Sequence, residues 1–300
     1  MTLEQLRIFV AVAERQHVTA AAQTLGLTQS AASSAIAALE QRYNTKFFHR
    51  VGRSIELTEE GARFLVEARA VLARAAAAEQ TLDDLSGLRH GTLRIHASQT
   101  SGGYWLPRYL VDFRNLHPGI ELQFTIGNTE QVATAVRDGI ADIGFIEGAI
   151  TDASLRIEEV AKDKLLLVVG AQHPWAARKS IQPANLVETS WILREKGSGT
   201  RAMFEAALAS FHIKSSSLEI VMELASNEAI RSAVIAGKSA TVLSASVVVA
   251  GLEAGLLHTV KLNLPDRAFY ALIHKERYVS RSAQAFLAMI KTPARAKRAS

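Results

Sequence analysis

Three hundred residues are enough for two or three domains with cores of their own. An apolar fraction of 48% with 21% charged residues describes an ordinary globular chain, and the absence of cysteine excludes disulfides and thiolate metal sites. Lys291, Arg295, Lys297 and Arg298 supply four of the net +5 charges, so the overall basic balance says little about nucleic acid. The opening MTLEQLRIFVAVAERQ carries charges every few residues and does not read as a signal peptide. The longest apolar stretch, Ala240 to Leu257, is interrupted by Ser244, Ser246, Gly251, Glu253 and Gly255, so no membrane span and a cytoplasmic location are expected.

Leu3 to Arg15 reads as a helix with Leu6, Phe9, Val10 and Ala13 on one face. Thr19 is placed to cap a short second helix with Ala22 and Leu25 inward. Gly26 breaks it, and Thr28 is placed to cap a third. In that third helix Ala32, Ile36, Leu39 and Tyr43 recur at spacings of 4, 3 and 4, which predicts one buried face. Thr28, Gln29, Ser30, Ser33, Ser34, Ala37 and Gln41 fall elsewhere, on a side that is polar, short and uncharged. Small hydroxyl and amide groups suit close approach to base edges in a DNA major groove. An ordinary helical hairpin with a polar surface is the alternative.

Between Glu40 and Glu56 lie Arg42, Lys46, His49, Arg50 and Arg53 with no acid among them, a cluster fitted to phosphates. Lys46–Phe48 and Ile55–Leu57 look like two short strands around a Gly52–Ser54 turn, the shape of a wing. Thr58 then caps a long helix that begins with Glu59 and Glu60 and has no breaker from Ala62 to Ser86. Along it Phe64, Ala68, Val71, Ala75, Ala78, Leu82 and Leu85 alternate spacings of 4 and 3. A helix of ~25 residues spans roughly 37 Å, too long to bury itself on a three-helix head. The same helix of a second copy is the simplest partner; packing on the chain's own downstream domain is the other. Ser86–Gly87 and Gly91 flank a short hinge.

From Thr92 the period changes. Strands are expected at Thr92–Ala97, Ile120–Ile126, Asp142–Ile146, Lys164–Val169, Trp191–Leu193, Glu219–Leu224, Thr241–Ser244 and Arg267–His274. Ser98–Gly103 reads as a loop. Helices follow with Leu106, Leu110 and Phe113 inward, after Asn128–Thr129 with Val132, Ala135 and Val136 inward, and at Arg201–Phe211, Asn227–Ala236 and Ser282–Ile290. This order argues for open parallel α/β sheets in two halves, the last strand and helix returning to complete the first half. A cleft between such halves is the usual place for a small ligand.

The order Gln29–Ser30, Ser33, Ile36, Leu39–Glu40, Phe48, Arg50, Leu57–Thr58 and Gly61 resembles the winged helix-turn-helix signature of the LysR-type transcriptional regulators. The likeness covers the whole chain, with Ala31 where many members carry Pro and Phe47 in place of the usual Leu of the wing. It implies an α/β fold with an all-α winged head: a DNA-binding domain over 1–58, a linker and dimerisation helix over 59–87, and an effector domain over 88–300. That domain would resemble a type 2 periplasmic binding protein, with lobe I at about 92–161 and 266–290 and lobe II at about 162–265.

The effector domain looks most like the CysL-type subgroup, with RuBisCO-operon regulators as near relatives. The matching segments are Ser98–Gln99–Thr100, Leu106–Pro107, Gly127–Asn128–Thr129–Glu130, Glu147–Gly148, Trp191–Glu195, Gly197–Arg201 and Ser226–Ile230. The subgroup's association with sulfur assimilation implies sulfite as effector, and the helix starts and hydroxyls at the expected strand ends widen this to a small anion such as sulfate or a carboxylate. The family implies double-stranded promoter DNA as partner and a homo-oligomer, a dimer of dimers, that bends it.

Hydroxyls and amides crowd the expected strand ends: Ser98, Thr100, Ser101, Asn128, Thr129, Ser198, Thr200 and Asn227. Helix starts with free N–H groups favour an anion, although each of these residues could equally be a cap. Arg201 could pair with Glu205 at i+4. Glu147 would repel an anion and is left out of the expected contacts. No catalytic residue, cofactor or metal is expected: the histidines show no HExxH spacing, Gly197–Ser198–Gly199 is not a nucleophile elbow, and Gly237–Lys238–Ser239 lacks the leading glycine of a phosphate loop, having Ser232 there. A transport solute-binding protein would need a secretion signal and no DNA-binding head.

Overall fold

A computed structural model describes residues 1–52, 54–85, 90–148 and 150–291, with the side chains of Gln80 and of residues 83–85 outside the description. It divides into two compact units near the end of the long helix. The first unit begins with α1 (Leu3–Arg15), α2 (Val18–Thr24) and α3 (Gln29–Tyr43). A hairpin of β1 (Phe48–Val51) and β2 (Ser54–Leu57) leads into α4 (Glu59–Leu85). The cap of α2 is His17, whose Nδ1 accepts from the Ala20 N–H at 3.3 Å, and not the expected Thr19. Thr28 caps α3 by accepting from the Ala31 N–H.

The head's core is aromatic. Phe9 lies 5.3 Å from Phe47 and 4.9 Å from Phe64, and Phe47 stacks on Phe64 at 4.7 Å between ring centres. The wing strand starts at Phe48, two residues later than expected, because Phe47 is buried in this cluster. Tyr43, expected inside, is 47% exposed. The end of α3 is anchored instead by Glu40, whose buried carboxylate accepts from the Phe47 N–H at 2.9 Å and the Phe48 N–H at 3.3 Å. Thr58 holds the start of α4 by accepting from the Gly61 N–H at 2.9 Å and donating to the Lys46 carbonyl at 2.7 Å. A Cβ on Gly61 would lie 2.1 Å from the Phe47 carbonyl oxygen, so only glycine lets the helix approach the wing.

The second unit holds two five-stranded sheets. The first lobe comprises β3 (Gly91–Ser98), α5 (Pro107–Leu116), β4 (Ile120–Gly127), α6 (Thr129–Asp138), β5 (Ile143–Glu147) and β6 (Leu155–Asp163). The chain then crosses into the second lobe: β7 (Leu165–Gly170), β8 (Ser190–Arg194), α7 (Gly199–Ser210), β9 (Glu219–Leu224), α8 (Asn227–Ala236), β10 (Ala240–Ser244), α9 (Ala245–Glu253) and β11 (Leu257–Val260). It returns through β12 (Arg267–His274) and α10 (Arg281–Lys291). The strand orders are β4-β3-β5-β12-β6 and β11-β7-β10-β8-β9.

The expected parallel pairing holds for only part of each sheet: β3 with β4 and β5, and β8 with β9 and β10. The returning β12 runs antiparallel to both β5 and β6, and β7 runs antiparallel to β10 and β11. The strands β6 and β11 and the helix α9 lie outside the expected elements, although Ser244 caps α9 by accepting from the Ser246 N–H at 3.2 Å. Each lobe packs helices around its sheet, with Phe113, Phe145 and Phe286 central in one core and Trp191, Phe204 and Leu208 in the other. Among the described residues no helix is long and apolar enough to cross a membrane.

Candidate functional site

The outward side of α3 is open. Thr28, Gln29, Ser30, Ser34, Ala37 and Gln41 are exposed or half-buried, and so is Ser33. The side chains hold one another in place: Gln29 Nε2 donates to Ser33 Oγ at 2.8 Å, and the hydroxyls of Thr28 and Ser30 lie 3.1 Å apart. A row ordered in this way has little side-chain freedom left to lose on contact with a partner.

The expected basic cluster is only partly available. Lys46 donates to Glu40 Oε2 at 2.6 Å, His49 faces Glu56 across the hairpin at 3.6 Å, and the Arg42 guanidinium sits over the Tyr43 ring. Arg50, at the wing, is exposed and has no acidic partner among the described residues. Arg53 lies outside the described residues, as do the Ser86–Gly87 hinge and the basic tail with Arg295, Lys297 and Arg298.

The seam of α4 splits in two. Ala68 is 1% exposed inside its own head, and Phe64 stacks on Phe47 in the same core. Both are therefore removed from the expected dimer contact: the first turns of α4 form the fourth wall of the head. Further along, Val71 and Leu82 are exposed; the side chain of Leu85 is not described. Ala75 and Ala78 continue the same stripe between them.

Between the lobes, the predicted hydroxyls converge, but around an unexpected group. Glu147, at the end of β5, is 1% exposed. Its carboxylate accepts from Ser98 Oγ, from Thr100 Oγ1 at 3.2 Å and, across the cleft, from Thr200 Oγ1 at 3.4 Å. Glu147, expected to stand apart from the contacts on grounds of charge, is thus their centre: the donors that an anion would need are satisfied by the protein's own carboxylate. Ser101 contributes through Ser98 and the Phe145 carbonyl. The expected loop at 98–103 is largely helical, with a π-helical turn over Ser101–Trp105 that brings its hydroxyls beside Glu147.

Other predicted residues tie the lobes together. Thr129 Oγ1 accepts from the Gly199 N–H at 3.1 Å and donates to the Glu147 carbonyl at 3.4 Å. Asn227 Nδ2 donates to Thr100 Oγ1 at 3.3 Å, and Asn227 Oδ1 accepts from Arg194 at 2.8 Å. A Cβ on Gly199 would lie 2.1 Å from the Glu147 carbonyl oxygen, so the closeness of the lobes depends on that glycine. Ser198 lies buried beside it with a hydroxyl that has no protein partner. Asn128 is a cap, accepting from the Gln131 N–H at 3.0 Å and reaching the Lys196 carbonyl at 3.5 Å. Arg201 pairs with Glu205 at 2.9 Å and with Glu223, and so supports α7.

Several participants carry no signal in the sequence. Arg267, where the chain returns through β12, donates to Thr200 Oγ1 at 2.8 Å and pairs with buried Asp163 at the end of β6. Ser244 completes Asp163 at 2.7 Å. Register places Arg267 opposite Asp163, so the two crossing strands are clasped where they leave the lobes. A further clasp joins Tyr104 Oη to Glu228 Oε1 at 2.6 Å. Burial, then the hydrogen bond to Glu228, pushes the Tyr104 phenol up to about 12.

A winged helix-turn-helix head with an exposed polar helix, followed by a two-lobed domain with a polar centre, defines a DNA-binding regulator with a ligand-binding domain. Residues 3–62 match the bacterial regulatory helix-turn-helix proteins of the lysR family, and residues 86–294 match the LysR substrate binding domain. The chain belongs to the LysR family of transcriptional regulators. It is 34% identical over 289 residues to the uncharacterized HTH-type transcriptional regulator YeiE of Escherichia coli K12, covering 96% of each chain. A probable RuBisCO transcriptional regulator of Guillardia theta is 34% identical over 290 residues, covering 95% of this chain and 94% of that one.

A full-length OxyR variant of Pseudomonas aeruginosa shares the fold, with a TM-score of 0.70 at 22% identity over 97% of this chain and 95% of that one. So does full-length CbnR complexed with target DNA, at 0.66 and 21% over 97% and 98%. The CcmR regulatory domain of Synechocystis PCC6803 in complex with 2-PG gives 0.63 at 26% identity over 69% and 99%.

Proposed function

We propose that this chain reads promoter DNA with α3 in the major groove and Arg50 on the backbone, and that a small oxyanion carrying a proton, hydrogensulfite first, tunes that binding from the interlobe centre. The observation that carries the ligand reading is the convergence of Ser98, Thr100 and Thr200, from both lobes, on the buried Glu147 carboxylate. A set of hydroxyls that holds one carboxylate suits another oxyanion equally well. Beside Glu147, however, a pure acceptor such as sulfate meets like charge, whereas hydrogensulfite or a hydroxylated carboxylate can donate its proton to Glu147 and so release one of the hydroxyls spent on that carboxylate to donate to the ligand instead. This narrows the reading of sulfite, sulfate or carboxylate to ligands with a donor. The 2-PG bound to the CcmR regulatory domain supports a small-molecule ligand in this kind of domain.

The exposed large apolar positions of α4, Val71 and Leu82, fit a homodimer that presents two recognition helices to a partly palindromic site, and the family's dimer of dimers builds on it. A ligand shifts DNA contact only by binding one lobe arrangement more tightly, and ~1–3 kcal/mol of coupling suffices.

Two measurements test this reading. Arg50→Ala should flatten the salt dependence of promoter binding by about one phosphate contact, and Ser33→Ala should weaken binding to the cognate fragment; unchanged binding in both removes the DNA assignment. Calorimetry should show hydrogensulfite binding that weakens as pH rises and the ion loses its proton, no binding of sulfate, and no sulfite response in Thr100→Ala. Tight sulfate binding, or a sulfite response that survives Thr100→Ala, would overturn the ligand reading.

A further inference from the structure

A cavity of about 440 Å³ lies between α6 of lobe I and α7 of lobe II, beside the hydroxyl centre but with a different character. Its walls are Ala133, Ile150, Ala202, Met203 and Ala206, an apolar lining within the size range of small-ligand pockets. The charged groups in the lining are not balanced. Arg137 is spoken for: it donates to Asp152 at 3.2 Å and to Thr134 Oγ1 at 2.9 Å. The Glu130 carboxylate is exposed and takes no hydrogen bond or ion pair among the described residues, so it stands open to a cationic group. Ser198, also in the wall, keeps its hydroxyl buried behind the lining, out of reach of the cavity. An apolar wall beside one unpaired carboxylate fits an apolar molecule carrying a protonated nitrogen.

We propose that this cavity is a second effector site and that it takes a small organic amine. The hydrocarbon part lies against the alanines and Met203, and the ammonium group donates to Glu130. Because α6 and α7 belong to different lobes, such a molecule binds best when the lobes are closed and favours that arrangement. The proposal stands independently of the oxyanion reading, since it shares none of the groups that hold Glu147's carboxylate.

Titration of the full-length protein with 2-phenylethylamine by isothermal calorimetry tests it. Saturable binding of one molecule per chain is expected, weaker by about tenfold for 2-phenylethanol, which has the same body without the charge, and absent for phenylacetate. Glu130→Gln should weaken the amine by about tenfold while leaving promoter binding and the sulfite titration as they were. Ala202→Phe, which fills the cavity, should abolish amine binding in protein that still binds its promoter fragment. Failure of the amine to saturate, equal binding of phenylacetate, or an amine affinity untouched by Glu130→Gln would overturn the proposal. Glu130 is exposed, so that variant keeps the test decisive should Ala202→Phe fail to fold.

Discussion

Glu147 shows what a single buried charge does to the cleft between two lobes. An ionised carboxylate taken out of water is costly unless its lone pairs are met, and here hydroxyls from two lobes meet them. The residue thereby joins the lobes. Glu147→Gln keeps the shape and most of the hydrogen bonds but removes the charge. The proposed filter predicts loss of discrimination: sulfate, which the native protein is expected to exclude, should bind the variant, with an affinity raised by about tenfold or more. Calorimetric titration of both anions into variant and native protein checks this, and continued exclusion of sulfate would show that the charge of Glu147 is not the filter.

At the scale of elements, α4 performs two jobs in sequence. Its first turns close the head, where Phe64 meets Phe9 and Phe47 and where Gly61 touches the wing. Its later turns leave Val71 and Leu82 uncovered at 41% and 67% exposure. Large apolar side chains at heptad spacing on an uncovered helix are the usual signature of a second helix alongside. The two parts should respond differently to mutation. Phe64→Ala should lower the stability of the head by about 3 kcal/mol at any protein concentration. Leu82→Glu should leave the head's stability unchanged but make the dimer dissociate on dilution. Thermal unfolding and analytical ultracentrifugation over a concentration series separate the two; a Leu82→Glu protein that sediments as native would show that this stretch carries no contact between copies.

Across the whole effector domain, hydrogen bonds form one chain from the crossing strands to the Glu147 carboxylate. Asp163 holds Arg267, Arg267 donates to Thr200, and Thr200 donates to Glu147. Tyr104 and Glu228 clasp the lobes separately, and their titration gives that clasp a pH window. Burial raises Glu228, but the hydrogen bond from Tyr104, with the backbone and Ser226, more than offsets it and holds the group below the usual carboxylate range. Its contribution is therefore present above about pH 4.3, the ordinary Glu value, and is lost as pH falls through the lowered native value. Tyr104, raised to about 12, contributes fully below the ordinary tyrosine value of about 10 and loses its contribution as pH rises through about 12. Tyr104→Phe should flatten the alkaline limb of thermal stability between those two values. An identical alkaline limb in the variant would show that the clasp does not hold the lobes.

What the sequence determined by itself were the features written in local spacing. The polar face of α3, the Thr28 and Thr58 caps, the unbroken run of α4 and most strands of the α/β halves are readable because capping and periodicity act within a few residues. Tyr43 and the Phe64–Ala68 stretch show where the same periodicity misleads: it marks an apolar face without saying which neighbour covers it. Tertiary structure alone decided the centre of the effector domain. Ser98, Glu147, Thr200 and Arg267 are far apart in the chain, and which of two opposite outcomes follows, a carboxylate repelled from the cleft or one embraced by it, depends on hydroxyls that only folding brings within reach.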